Sequence, residues 1–204
     1  MTGPVIHGPA LKTKVMLVGQ APGPHEHKVM KPFGWTAGKT LFKWFHETVG
    51  WSEEQFRARI YIAAVARCFP GKAPNGGGDR RPDEVEMANC RPWLERETRI
   101  LKPELVIPVG SLAIEQVLGV KGPLVDFIGK AFAVTYHGVA VEVVALPHPS
   151  GASTWHRMEP GVTLLKRALR LLQARLEKPS PSPSPSTSTS TPGELRRRVE
   201  RPRR

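Results

Sequence analysis

Three apolar runs at residues 14–19 (KVMLVG), 60–66 (IYIAAVA) and 105–110 (LVIPVG) are short and rich in Val or Ile. Runs of this length and kind read as strands covered on both faces, the pattern of a parallel sheet. Between them, residues 39–49 and 82–101 read as helices. The second has Pro82 in its first turn, with Asp83, Glu84 and Glu86 complementing the positive N-terminal end. Residues 131–136 and 139–145, joined through His137-Gly138, read as a hairpin. Residues 162–176 form an amphipathic helix, with Leu165, Leu169, Leu172 and Leu176 on one face. The order predicts an α/β fold: a three-layer α/β/α sandwich around a central, mainly parallel four-stranded sheet.

Two of the loops at strand ends are unusual. The first strand ends in Gly19-Gln20-Ala21-Pro22-Gly23, whose glycines and proline fix a tight backbone path and expose N–H groups to a ligand. The last strand runs into Pro147-His148-Pro149-Ser150-Gly151-Ala152-Ser153, where flanking prolines hold the His148 imidazole in place. In open α/β sheets, ligands bind beyond the carboxyl ends of the strands, and these loops converge there with those after Ala66 and Val109. Residues 34–40 approximate a phosphate-binding loop. Three residues rather than four separate the two glycines, however, and no strand directly precedes them, so nucleotide hydrolysis is not expected.

The 204 residues carry 30 Lys+Arg against 18 Asp+Glu, a formal net charge of +12, so a polyanionic partner has to be considered. From Lys178 the chain turns to Pro-Ser and Thr-Ser repeats, then to an arginine-rich end at 194–204. Such a segment has no apolar face to bury. The expected organisation is a leader at 1–13, one domain at 14–176 and a disordered tail at 177–204, either merely solubilising or tracking phosphates. No apolar run approaches the roughly 18 residues of a membrane span, and residues 1–11 lack a long apolar stretch, so neither a membrane nor a secreted protein is expected. Two cysteines, Cys68 and Cys90, make no disulfide framework, which suits a reducing cytoplasm.

GQAPG after the first strand and HPSGAS after the last resemble the two signature motifs of the uracil-DNA glycosylase superfamily. Lys31-Pro32-Phe33-Gly34 with Ala37-Gly38, Arg67-Cys68, the turn 78–82 and Cys90-Arg91-Pro92-Trp93-Leu94 are similar to the iron-sulfur-type and related bacterial members. The resemblance spans roughly residues 14–172. It implies a monofunctional enzyme that flips uracil, or a related deaminated base, out of DNA and hydrolyses its N-glycosidic bond. The contrasting implication is a member that binds such DNA without excision. No Lys lies in either signature loop to form a Schiff base, so strand cleavage is not expected.

By this resemblance, His148 donates to the carbonyl oxygen of the departing base, where negative charge collects. Phe33 is the stacking wall, with Gly19, Gln20 and Ala21 along another side. Pro22, Gly23, Ser150, Gly151 and Ser153 contact DNA, Trp155, His156 and Arg157 wedge the duplex or pair with a phosphate, with core packing the alternative for Trp155, and Arg80, Arg81, Lys31 and Lys39 add phosphate contacts. Relatives commonly present an Asn where this chain has Asp79. A carboxylate would meet O4 of uracil lone pair to lone pair, so Asp79 is protonated, displaced by Asn75, paired with Arg80 or Arg81, or reading another base.

The water activator also departs from the family pattern. The first loop carries Gln20 and Ala21 where relatives have an acidic residue, and Gln can position a water but cannot take its proton. Asp79 is the substitute, with Glu26 and His25 behind it. Cys68 and Cys90 match two ligands of the iron-sulfur cluster, but residues 1–65 supply no others, so no metal or cofactor is expected. DNA is the expected partner, and the protein is expected to act as a monomer.

Overall fold

The computed structural model describes residues 1, 3–74, 78–151 and 153–177. The tail expected at 177–204 therefore lies, from Lys178 on, outside the described residues, as does Asn75.

Five strands, β1 (Val15–Gly19), β2 (Tyr61–Ala64), β3 (Leu105–Pro108), β4 (Ala131–Tyr136) and β5 (Val139–Val144), form one sheet in the order β2-β1-β3-β5-β4. β1 pairs in parallel with β2 and β3, and β3 with β5, while β4 is antiparallel to β5. The sheet thus has one strand more than the four expected. β4 is the addition, an edge strand whose residues alternate between exposed and covered, as a half-buried strand's do.

The central strands are buried on both faces. Leu17 and Ile107 turn toward one layer, formed by α2 (Thr36–Val49), α3 (Glu53–Arg57) and α6 (Gly161–Leu176). Met16, Val18 and Val106 turn toward the other, formed by α4 (Glu84–Leu101) and α5 (Ser111–Leu118). This is the predicted sandwich. A single turn, α1 (Glu26–Val29), follows the first signature loop.

Local chemistry sets the helix ends. Asp83 accepts from Glu86 N–H at 2.8 Å, and Glu86 reaches back to Asp83 N–H at 2.9 Å, a capping box that starts α4 at Glu84. Pro82 therefore precedes the helix instead of occupying its first turn. α5 was not foreseen, because its eight residues follow β3 after only Val109-Gly110. Among the described residues, no helix is long and apolar enough to cross a membrane.

Part of the leader belongs to the domain wall. Ile6 is 3% exposed and its N–H donates to the Arg67 carbonyl at 2.8 Å.

Candidate active site

The loops after β1, β2 and β5 meet at the carboxyl edge of the sheet around a cavity of about 610 Å³. It is lined by Gly19 through Gly23, Phe33, Asp79, His148, Ser150, Gly151 and Ser153, so most of the residues singled out in the sequence come together here. Trp155 and Arg157 do not line it. Trp155 packs against the core under α2 and α6, Arg157 is exposed, and the intervening His156 is buried edge-on to Trp44 at 5.2 Å.

His148 is fixed from two sides. Its ring rests on Gly110, where a Cβ would lie 3.1 Å from Cδ2; φ of +88° at Gly110 suits glycine anyway. The Ser150 backbone N–H donates to Nδ1 at 3.2 Å. A backbone N–H can only donate, so Nδ1 holds the lone pair, and the proton of the neutral ring sits on Nε2. Burial pushes the His148 imidazole below the usual histidine range, against the pull of Asp79, with His156 acting in the same sense as burial. At neutral pH this side chain is an uncharged Nε2–H donor lining the cavity.

Phe33 is held as tightly, by residues the sequence did not mark for that task. Its φ is +54°, unusual for a side chain of this size. Arg57 donates to the carbonyls of Pro32 and Phe33 at 3.0 and 3.3 Å. Gly38 passes so close that a Cβ there would stand 1.8 Å from the Phe33 carbonyl oxygen, and one on Gly19 would stand 3.1 Å from the ring edge. The buried Glu26 accepts from Gly34 N–H at 3.0 Å and from Gly23 N–H at 2.5 Å, tying the first signature loop to the Phe33 turn. Burial raises the Glu26 carboxyl above its usual range, opposed by those two N–H groups and by Arg57. Both of its oxygens are engaged by backbone, so Glu26 is a staple between loops. Its place three residues after Gly23 was the only signal available in the sequence.

Asp79 pairs with neither Arg80 nor Arg81. Its Oδ1 accepts from Lys72 Nζ at 2.7 Å, across a backbone bridge that sets residues 72 and 79 side by side. Arg80 is bound to Glu86 at 2.6 and 2.7 Å, and Arg81 to Glu115 at 2.8 Å. The partner was missed because the loop folds back on itself, which a separation of seven positions does not reveal. Lys72 also lines the cavity, so a lysine reaches the site although none lies in either signature loop.

Cys68 and Cys90 are free, and the Cys68 thiol is raised by burial and by its neighbour Cys90. Two thiols do not fit an iron-sulfur cluster, which takes four protein ligands. Among the described residues, no group of three or more His, Cys, Asp or Glu could hold a metal ion.

A model of the Uracil DNA glycosylase superfamily matches residues 5–173. The Type-4 uracil-DNA glycosylase of Sulfurisphaera tokodaii is 30% identical over 145 residues, covering 69% of this chain and 61% of that protein. Its counterpart in Pyrobaculum aerophilum is 31% identical over 144 residues, covering 69% and 68%. The Type-5 uracil-DNA glycosylase of the same organism is 28% identical over 170 residues, covering 78% and 72%. The chain thus spans about three fifths of the Sulfurisphaera relative's length.

Proposed function

The chain belongs to the uracil-DNA glycosylase superfamily, and from that premise we propose that it is a monofunctional DNA glycosylase excising uracil or a related deaminated base. The observation that carries the reading is the neutral His148, its proton on Nε2, lining the cavity enclosed by the first signature loop and Phe33. A base flipped into that cavity stacks on Phe33, which keeps water from its face. As the glycosidic bond lengthens, electrons move onto the base and the sugar becomes oxocarbenium-like. The Nε2–H donates to the carbonyl oxygen where charge gathers. Gln20 orients the water that adds to C1′. The Lys72 ammonium, held in its ion pair with Asp79, has no free electron pair for C1′, so the product is an abasic site with an unbroken strand.

Gln20 cannot accept the water's proton, and this favours a second reading, a protein that binds deaminated DNA without cutting the bond. One experiment separates the two. Oligonucleotides carrying a single uracil, hypoxanthine or xanthine, single-stranded or opposite each base, are incubated with the protein and then treated with alkali. Alkali-dependent cleavage is expected, falling about 100- to 1,000-fold in His148→Ala, as for loss of one donor to a developing anion. Retained binding without cleavage on any substrate would establish the binder instead.

A further inference from the structure

We propose that Lys72 and Asp79 act together as the edge reader of the flipped base, Lys72 Nζ donating to the carbonyl oxygen and the Asp79 carboxylate accepting from the adjacent ring N–H. The inference rests on the reading that a deaminated base enters this cavity.

Uracil presents O4 as an acceptor next to N3–H as a donor. Asp79 alone answers only the second, and its lone pairs oppose those of O4. Lys72 supplies what Asp79 lacks. The two side chains stand side by side because residues 72 and 79 form an antiparallel bridge, reinforced by Ala73 N–H to Gly78 carbonyl at 2.9 Å and Arg80 N–H to Gly71 carbonyl at 3.0 Å. Both line the cavity, with their side chains 63% and 35% exposed, so an incoming base can reach them. The other Asp79 oxygen faces the first signature loop, 3.6 Å from where a Gly23 Cβ would stand. Arg80 and Arg81 are bound to Glu86 and Glu115, which leaves Lys72 as the cation paired with Asp79.

A donor beside an acceptor matches the O=C–N–H unit of uracil and equally that of hypoxanthine and xanthine. Cytosine and adenine carry an amino group beside a ring lone pair. At this pair each would meet donor with donor and acceptor with acceptor. The pair therefore reads the deamination of cytosine and of adenine, but not that of guanine, which already carries the same O=C–N–H unit. It does not separate uracil from thymine, whose edge is the same.

Four variants test this against a role as a mere loop fastener: Lys72→Met, Asp79→Asn, the exchange Lys72→Asp with Asp79→Lys, and Lys72→Met with Asp79→Asn. Each is first melted to establish that it is folded. Single-turnover uracil excision is measured, together with binding to the same oligonucleotide bearing uracil or cytosine. Lys72→Met is expected to lower uracil excision on the order of 10- to 100-fold, the worth of a paired edge contact. The exchange keeps an ion pair but reverses donor and acceptor, so it is expected to lose at least as much and to lose the preference for uracil over cytosine. Lys72→Met with Asp79→Asn is expected to recover much of the loss, because one amide offers both donor and acceptor. Wild-type excision by the exchange variant, or no recovery in the amide variant, would overturn the reader. So would abolition of all activity by Asp79→Asn alone, which would make Asp79 the base that takes the water's proton. If the wild type prefers uracil over cytosine in binding but excises neither, the glycosylase reading fails and the reader stands.

Discussion

Two sides of the same cavity are built in different ways. The Phe33 side is tied by groups aimed at the backbone: Glu26 accepting from Gly23 and Gly34, Arg57 donating to Pro32 and Phe33, and Gly38 and Gly19 allowing close approach. The 70–81 side is tied by ion pairs between side chains, Lys72–Asp79, Arg80–Glu86 and Arg81–Glu115. Releasing the first set strands polar groups away from water; in the second set Glu86 is as buried as Glu26, and the Lys72–Asp79 pair is the one most open to water and salt. The Phe33 side is thus the more firmly tied, and the other side is adjustable at its Lys72–Asp79 pair.

The largest effect is expected where the rigid side has no room. Gly38→Ala forces a Cβ against the Phe33 carbonyl, so the wall must shift. A destabilisation of about 1–3 kcal/mol in a urea melt is expected, with a loss of excision far larger than that of stability, since the mutant remains folded but its slot is misplaced. Unchanged excision would show that the Phe33 side is not the rigid one.

Glu26→Ala comes next in its effect on excision, because the Phe33 wall itself keeps its place, although the Gly23 and Gly34 N–H groups lose their acceptor at a stability cost of about 1–3 kcal/mol for each that stays buried and unsatisfied. Glu26→Gln keeps one acceptor and is expected to lose less. A melt of both variants beside the wild type checks the order.

Acid gives the smallest effect and sharpens the contrast, because the two carboxylates shift oppositely. The Arg80 guanidinium holds Glu86 down at about 2, so its stabilisation is present above the unfolded value of 4.5 and drains away as pH falls toward 2. Burial raises Glu26, so its contribution is complete below 4.5 and is lost as pH rises through its folded value. Hydrogen exchange followed from pH 5 down to pH 3 is expected to show the Gly71–Arg80 amide contact opening first while the Gly23 and Gly34 amides keep their protection. Simultaneous opening would erase the distinction between the two sides.

The sequence announces the rigid half of this site better than the adjustable one. Gly19–Gly23 and Pro147–Ser150 are legible because glycine and proline restrict the backbone locally, and the apolar runs before them place them at strand ends. Phe33 came from the resemblance alone, since its positive φ depends on Arg57 from α3 and Gly38 from α2. Asp79 was located while its partner was not, because the Lys72 contact exists only once the loop has folded back. The hairpin strand at 131–136 was legible with its bounds, but the count of four left it out of the sheet, which it joins as the antiparallel edge β4.

The central claim is that His148 works as an uncharged donor with its proton on Nε2. Nitrogen NMR of the His148 ring, recorded from pH 5 to 8 alongside the single-turnover uracil excision rate, tests it most directly. The account predicts a neutral ring, Nδ1 unprotonated and Nε2 protonated, across pH 6.5 to 8, with a rate that does not rise as pH falls through 6.5. An imidazolium at neutral pH, a proton on Nδ1, or a rate climbing as His148 gains its second proton would contradict it.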